Sequence, residues 1–318
     1  MAIMITGGTG SLGSYLARRL IDEGYRDIFL FDAYPNNRRI SDLFEKVKVI
    51  SGDITDWTDI TGTIEKYHIR EIFHLAAILS SEAREKPLRA HKINVEGTVN
   101  ILEACRMFDI QKVIFISSIS TYGLGVPEPV DENQRQQPTN IYGITKLFCE
   151  HWGLYYHSQY NVDFRAVRFP RIVNAGRSGT GVALFPSSMI ENAALGKYYE
   201  VEVGEEYRVP IIYIKDAVNI LLSLYTTEQI ETRVYNINGL IPTAKEILQV
   251  IQKYIPDSPI KFSSKPITPH LEIPFLYDDA KAQEELDWRI EYSLDKMVKD
   301  LINEVGSKTD IPKGSNRL

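Results

Sequence analysis

Residues Asn140–Lys146 read NIYGITK and place a tyrosine and a lysine four positions apart, after a Pro138-Thr139-Asn140 opening. Helical periodicity sets Tyr142 and Lys146 on one face, one turn apart. The pair has two readings. As a solvated i,i+4 contact it is worth about 0.2–0.5 kcal/mol. As chemistry, the ammonium makes the neighbouring phenol more acidic, so that it can exchange a proton near neutrality. The surrounding elements decide between them.

The first predicted strand, Ala2–Thr6, runs into TGGTGSLG (Thr6–Gly13), a GxxGxxG spacing between a strand and a helix. Glycine there permits a sharp turn, close approach of a pyrophosphate and tight packing of the helix on the sheet. The anion then sits at the helix N-terminus, where free N–H groups favour negative charge. Gly7, Gly10, Ser11, Leu12 and Gly13 are the candidate contacts. The second strand ends in Asp32, about 20 residues after the last glycine, where a carboxylate accepts hydrogen bonds from a ribose and repels a 2′-phosphate. The alternative is a solvated loop aspartate. NAD is preferred over NADP, although Arg38 and Arg39 follow and could tolerate a phosphate. SGDITD (Ser51–Asp56) ends the third strand; Asp53 with Ile54 could hold the adenine edge, and Asp56 suits a helix N-cap.

These groups need a frame. Ala2–Thr6, Asp27–Phe31, Val47–Ile50, Glu71–Leu75, Lys112–Ser117 and Asp163–Phe169 read as strands, most of them continuous apolar runs. Between them lie amphipathic stretches, Leu12–Glu23, Trp57–Tyr67, Leu88–Phe108 and Thr139–Tyr160. The alternation predicts an α/β fold, a Rossmann doubly wound parallel sheet with a smaller C-terminal substrate-binding lobe. The expected division is 1–169 for the NAD-binding domain, with 209–238 returning to it. Residues 170–208 and 239–306 form the lobe, and 307–318 a flexible tail.

The bulk properties exclude other classes. A net charge of −6 over 318 residues gives no support for nucleic acid or an anionic membrane surface as partner. No apolar run approaches the roughly 20 residues that span a bilayer, and MAIMITGGTG has no charged n-region of a signal peptide. Only Cys105 and Cys149 occur, which argues against a disulfide framework and suits a reducing cytoplasm. The histidines are scattered without HExxH spacing, so no protein-bound metal is expected.

TGGTGSLG, Asp32, GDITD, FHLAA (Phe73–Ala77), INVEGT (Ile93–Thr98), FISSISTYG (Phe115–Gly123) and YGITK occur in that order. In this the chain resembles the extended short-chain dehydrogenases/reductases, which include nucleotide-sugar epimerases and dehydratases. The resemblance implies NAD as cofactor and a Ser-Tyr-Lys site. Tyr142 would be the acid/base, and Lys146 its partner and a contact of the nicotinamide ribose. Ser118, five residues before Gly123, would hydrogen-bond the reacting oxygen. A free phenol ionises at about pH 10; the ammonium and a nearby nicotinium charge stabilise the phenolate. The resemblance also implies cofactor contacts at Leu75, Ala76, Ala77 and Phe169, and substrate contacts at Ser80 and Ser120. Asn94 either braces a main-chain turn at the cofactor or does only structural work. Family members pair through four-helix bundles, so a homodimer through Leu88–Phe108 and Thr139–Tyr160 is implied.

Three features bear on the branch. Ile119 and Ser120 stand where the 4,6-dehydratases carry an Asp-Glu pair, so elimination of water is not expected. Pro170 in RFPRIV (Arg168–Val173) takes the place of the epimerases' aromatic-asparagine step. FHLAAILS (Phe73–Ser80), GTG from Gly179, VPIIYIKDA (Val209–Ala217) and WRIEYSLDKMVKDLI (Trp288–Ile302) are similar to the short-chain L-threonine 3-dehydrogenases. There are departures. Thr180 keeps its place as a substrate contact, but Gly181 and Val182 follow it. Arg171 replaces a small residue, and a guanidinium there could pair with a substrate carboxylate or phosphate, helped by Arg177 or Arg208; the alternative is a solvated arginine. The expected function is oxidation of a secondary hydroxyl by NAD, on an amino acid, a hydroxy acid or a nucleotide sugar. A UDP-hexose 4-epimerase with tightly bound NAD is the alternative.

Overall fold

The computed structural model describes residues 1–176, 184–267 and 273–309. In chain order the first elements are β1 (Ala2–Thr6), α1 (Ser11–Asp22), β2 (Ile28–Asp32), β3 (Lys48–Ser51), α2 (Trp57–Tyr67), β4 (Ile69–His74), α3 (Ser80–Glu85), α4 (Pro87–Ala90), α5 (Gly97–Met107), β5 (Lys112–Ser118), α6 (Ile141–Tyr160) and β6 (Phe164–Phe169). There follow β7 (Arg171–Val173), α7 (Phe185–Ala194), β8 (Tyr199–Val203), β9 (Ile211–Tyr213), α8 (Ile214–Thr226), β10 (Val234–Asn236), α9 (Ala244–Tyr254), β11 (Ile260–Ile267), α10 (Ala280–Leu286) and α11 (Leu294–Thr309).

Seven strands make one parallel sheet in the order β10-β6-β5-β4-β1-β2-β3. The order reverses between β1 and β4, the switch point outside whose carboxyl ends such sheets bind ligands. The central strands are buried on both faces: Ile3, Met4 and Ile5 have no exposed surface. That is why the strands read as unbroken apolar runs rather than alternating ones. The sheet is the Rossmann α/β arrangement expected.

One helix differs informatively from expectation. The stretch Leu88–Phe108 is not one α-helix: α4 passes into a π turn at His91–Glu96 before α5 begins. The π turn shifts the register and turns Asn94 inward, where it is 2% exposed. Helix α6 ends at Tyr160 as expected but begins at Ile141 rather than Thr139, because Asn140 is its N-cap and accepts from the Gly143 N–H at 2.9 Å.

Contacts divide the chain into two units. The first comprises Met1–Phe169, Ala217–Asn238 and Glu272–Arg289 and holds the seven-stranded sheet. The second comprises Pro170–Asp216, Gly239–Leu271 and Ile290–Leu318. It contains two parallel pairs, β7 with β9 and β8 with β11, and packs α7, α9 and α11 against one another. Strand β11 is mostly exposed and carries KFSSKP, so no period-2 pattern announces it. Helix α11 continues to Thr309, through the start of the expected tail at Ser307. The rest of that tail, 310–318, lies outside the described residues, as do Arg177, Thr180, Gly181 and Val182.

Candidate active site

The turn after β1 is built for a close approach. Gly7 adopts φ +64°, a left-handed conformation that favours glycine, and a Cβ there would lie 3.0 Å from the Ala76 backbone. The turn is thus pressed against Leu75–Ala77 at the end of β4. A Cβ on Gly13 would lie 2.6 Å from the Gly7 carbonyl oxygen, so α1 could not close on the turn with any larger residue. Gly10 is the N-cap of α1 and no side chain caps that helix. An uncapped helix start beside a glycine cradle fits a pyrophosphate.

Asp32 is half-buried at the end of β2. One carboxylate oxygen accepts from the Thr9 N–H (3.2 Å) and hydroxyl (2.7 Å), and the other from the Tyr34 N–H (3.1 Å). Thr9 therefore fixes Asp32 to the glycine turn, a partnership that spacing alone did not announce. Asp53 Oδ1 accepts from Thr55 N–H at 2.8 Å, and the Asp53 N–H is held by Asp59 at 2.9 Å. Ala33, Tyr34, Ser51, Gly52, Asp53 and Asp59 line a groove of about 220 Å³. Tyr34 and Asp59 join the candidates only through the fold. Ile54 is 5% exposed and its side chain packs on Gly97, where a Cβ would lie 2.5 Å from it, so its backbone is the part that can meet a ligand. Asp56 caps α2, accepting from Thr58 and Asp59 N–H groups.

Asp32→Ala is expected to narrow the ratio of kcat/KM for NAD over NADP. A hydrogen bond to a charged group is worth about 1.5–3 kcal/mol, or about one to two decades. Steady-state kinetics with both cofactors measures it, and an unchanged ratio would reject the ribose role.

On α6, Lys146 is 3% exposed and its Nζ donates to the Ile116 carbonyl at 2.7 Å. The ammonium lies 4.6 Å above the Phe115 ring and 5.7 Å from the Tyr142 ring centroid. Burial lowers the Lys146 pKa to about 8, against the opposing pull of Cys149 and Glu150. The phenol ring packs against Ile78, Ala83 and Ala90. Gly143 brings the helix to the serine turn: a Cβ there would lie 2.1 Å from the Ser120 carbonyl oxygen. Ser118 Oγ accepts from the Ser120 N–H at 3.1 Å, which leaves its hydroxyl proton to donate elsewhere. Phe169 is the register partner of Ser118 across β5 and β6. Tyr142, Lys146, Ser118, Ser120 and Phe169 are thus gathered around the carboxyl ends of β5 and β6.

The remaining candidates divide. Asn94 Oδ1 accepts from Ile78 N–H (2.7 Å), and its amide donates to Ile78 C=O (3.0 Å) and Thr145 Oγ1 (3.2 Å). Both amide protons are spent on protein, so Asn94 braces the main chain rather than presenting a donor to a cofactor. Ser80 is exposed at the start of α3. Ser117 points to the opposite face from Ser118, where it bonds Glu150. Glu150 in turn takes a bidentate ion pair from Arg168, at 3.0 and 2.8 Å, with both side chains buried. Gln136, Tyr122 and Asn236 complete this network. A glutamate four residues after Lys146 was its only sequence signal.

In the second unit, Arg171 is half-buried on β7 beside Tyr207. Burial raises the Tyr207 phenol and Arg171 opposes that rise. Arg208 is exposed.

A family model described as the NAD dependent epimerase/dehydratase family matches residues 3–238. The mitochondrial L-threonine 3-dehydrogenase of Bos taurus is 26% identical, with 98% of this chain and 85% of that protein covered. A protein provisionally named UDP-glucose 4-epimerase from Methanocaldococcus jannaschii is 27% identical, with 95% and 97% covered. Among solved structures, the L-threonine dehydrogenase from Clostridium difficile superimposes with a TM-score of 0.88 at 29% identity, covering 96% of this chain and 98% of that one. With a glycine cradle, an acidic strand end and a tyrosine–lysine helix on one parallel sheet, and a family match over most of its length, the chain belongs to the NAD-dependent epimerase/dehydratase family of extended short-chain dehydrogenases/reductases.

Proposed function

We propose that the protein oxidises a secondary hydroxyl of a small molecule in the manner of the short-chain L-threonine 3-dehydrogenases. One observation carries the reading: a buried lysine on the Tyr142 face of α6, a helix whose first turn packs on the turn that Ser118 caps. Gly7, Gly10, Ser11, Leu12, Gly13, Asp32, Asp53, Leu75, Ala76, Ala77 and Phe169, with the Ile54 backbone, would hold NAD. When bound, NAD supplies the hydride acceptor. The Ser118 hydroxyl donates to the substrate oxygen and orients it. Tyr142, ionised, takes the substrate's hydroxyl proton, and the Lys146 cation holds the phenolate charge before that transfer. The relatives named as L-threonine dehydrogenases support the substrate class.

A panel of L-threonine, hydroxy acids and UDP-glucose, read as NADH absorbance and epimer ratio, tests this. NADH from an amino or hydroxy acid is expected. Epimerisation of UDP-glucose without net NADH would instead establish the 4-epimerase, which the Methanocaldococcus relative favours. Arg171 would grip the substrate's anionic group, and Thr180, Ser80 and Ser120 would contact the substrate. Arg171→Ala is expected to raise KM about tenfold or more with little change in kcat, the mark of lost ground-state binding. An unchanged KM would leave Arg171 with a structural role only.

The same reading makes the enzyme a homodimer in a reducing cytoplasm. Helices α5 and α6 expose Met107, Ile144, Phe148, Tyr155 and Tyr160. A groove of about 550 Å³ beside them is lined by Trp57, Arg106, Trp152 and Tyr156 among others. Both cysteines are buried and outside any disulfide. Among the described residues no helix is long and apolar enough to cross a membrane.

A further inference from the structure

His74, the last residue of β4, is 1% exposed and stacks on Phe115 at 5.9 Å. Its Nδ1 lies 2.7 Å from Thr6 Oγ1 and its Nε2 lies 3.0 Å from Thr98 Oγ1. The proton on each group can be assigned by elimination. The Thr98 hydroxyl donates to the Asn94 carbonyl at 2.6 Å, and that carbonyl can only accept. Thr98 has no second proton, so at His74 it accepts, and Nε2 carries hydrogen. Thr6 Oγ1 already accepts from the Leu75 and Ala76 N–H groups, at 3.2 and 3.3 Å. Its own proton is therefore the one directed at Nδ1. A second proton on the ring would confront Thr6 Oγ1 with three donors and strand its hydroxyl hydrogen.

The series ends at the Asn94 main-chain carbonyl, and the side chain of the same residue carries the connection on. Beyond Thr98, the Asn94 amide donates to Thr145 Oγ1 at 3.2 Å, and Thr145 donates to the Tyr142 carbonyl at 2.8 Å. The Cys149 thiol also donates to the Asn94 carbonyl, at 3.1 Å. One end holds the amides of Leu75 and Ala76 against the glycine turn; the other holds the first turn of α6.

We propose that His74 is a positioning residue, a neutral Nε2–H imidazole that sets the glycine turn and its facing segment in register with the helix bearing Tyr142. The inference rests on the reading of Tyr142 as the acid/base. Burial, with the Lys146 charge nearby, keeps the ring unprotonated, its pKa held down to about 3. Thr6, Thr98, Lys146 and Cys149 are the polar and titratable groups around it on β1, α5 and α6. His74 is buried, and a misplacement of about 1 Å from a change far from the chemistry can cost about 10²-fold in rate.

The test has two arms. In the first, ¹⁵N-histidine labelling of the full chain without substrate reads the tautomer, with the His74 signal identified by its loss in His74→Phe. A neutral Nε2–H ring that does not titrate between about pH 5 and 8 is expected; an Nδ1–H tautomer or a titration in that range would overturn the proposal. In the second, His74→Phe and the milder Thr98→Val are assayed for kcat and, by calorimetry, for NAD affinity. His74→Phe should lose about 10²-fold in kcat, Thr98→Val less. His74→Gln, whose amide can still donate to Thr98, should recover part of the loss. Wild-type kcat and NAD affinity in folded Thr98→Val and His74→Phe would reject a positioning role. Neither the tautomer nor the NAD titration needs turnover, so both stand apart from any failure of the Tyr142 assignment.

Discussion

Tyr142→Phe is expected to lower kcat by about 10²–10⁴-fold, the range that a general acid or base contributes, while the Kd for NAD stays the same. Phenylalanine keeps the ring that packs against Ile78, Ala83 and Ala90, so the helix start and the serine turn should remain in place. What disappears is the oxygen that takes the substrate's proton. Neither Ser118 nor Lys146 can replace it. A serine hydroxyl is too weak a base, and Lys146 is already committed to the Ile116 carbonyl. NADH production gives the rate, and calorimetric titration of NAD gives the binding arm. Turnover above about a tenth of wild type would end the acid/base assignment, whatever the substrate proves to be.

The second large effect is on stability. Removing one member of a buried ion pair leaves the other charge unpaired in a poor dielectric, at a cost of about 3–5 kcal/mol. Glu150→Ala strands Arg168, and also deprives Ser117 and Gln136 of their acceptor. Arg168→Met strands Glu150 and unties Tyr122 and Asn236. Each single variant should therefore lose most of its resistance to urea. The double variant should be clearly less damaged than the sum of the two, because no charge is left without a partner. Urea midpoints for the four members of the cycle measure this. Strict additivity would mean that the two side chains do not act as a pair.

The parts legible in the sequence share one property: their partners are close in the chain. Tyr142 and Lys146 announce themselves by helical spacing, and the glycine turn by its place between a strand and a helix. The central strands of the main sheet are visible because burial on both faces demands continuous apolar runs. What stayed hidden depends on partners brought together by the fold. Thr9 holds Asp32 from 23 residues away, and Arg168 reaches Glu150 across 18. The packing of the Ile54 side chain into the space that Gly97 leaves is likewise set by the fold. The π turn that turns Asn94 inward could not be read either, since Leu88–Phe108 satisfies an ordinary helical period. In the second unit β11 is largely polar and offers no signal, whereas β8, YEVEV, alternates as a strand with one buried face does.

The first unit is assembled from three separated pieces of chain, with residues 170–216 intervening before it resumes at Ala217. On a ribosome that adds about 5–20 residues per second, β6 waits for some seconds before β10 is synthesised. During that wait its outer edge offers unpaired backbone groups, an open template for pairing with another chain. Arg168 meanwhile lacks the side-chain amide oxygen of Asn236 as an acceptor. A fragment ending at Phe169 would therefore lack β10 and leave the β6 edge uncovered.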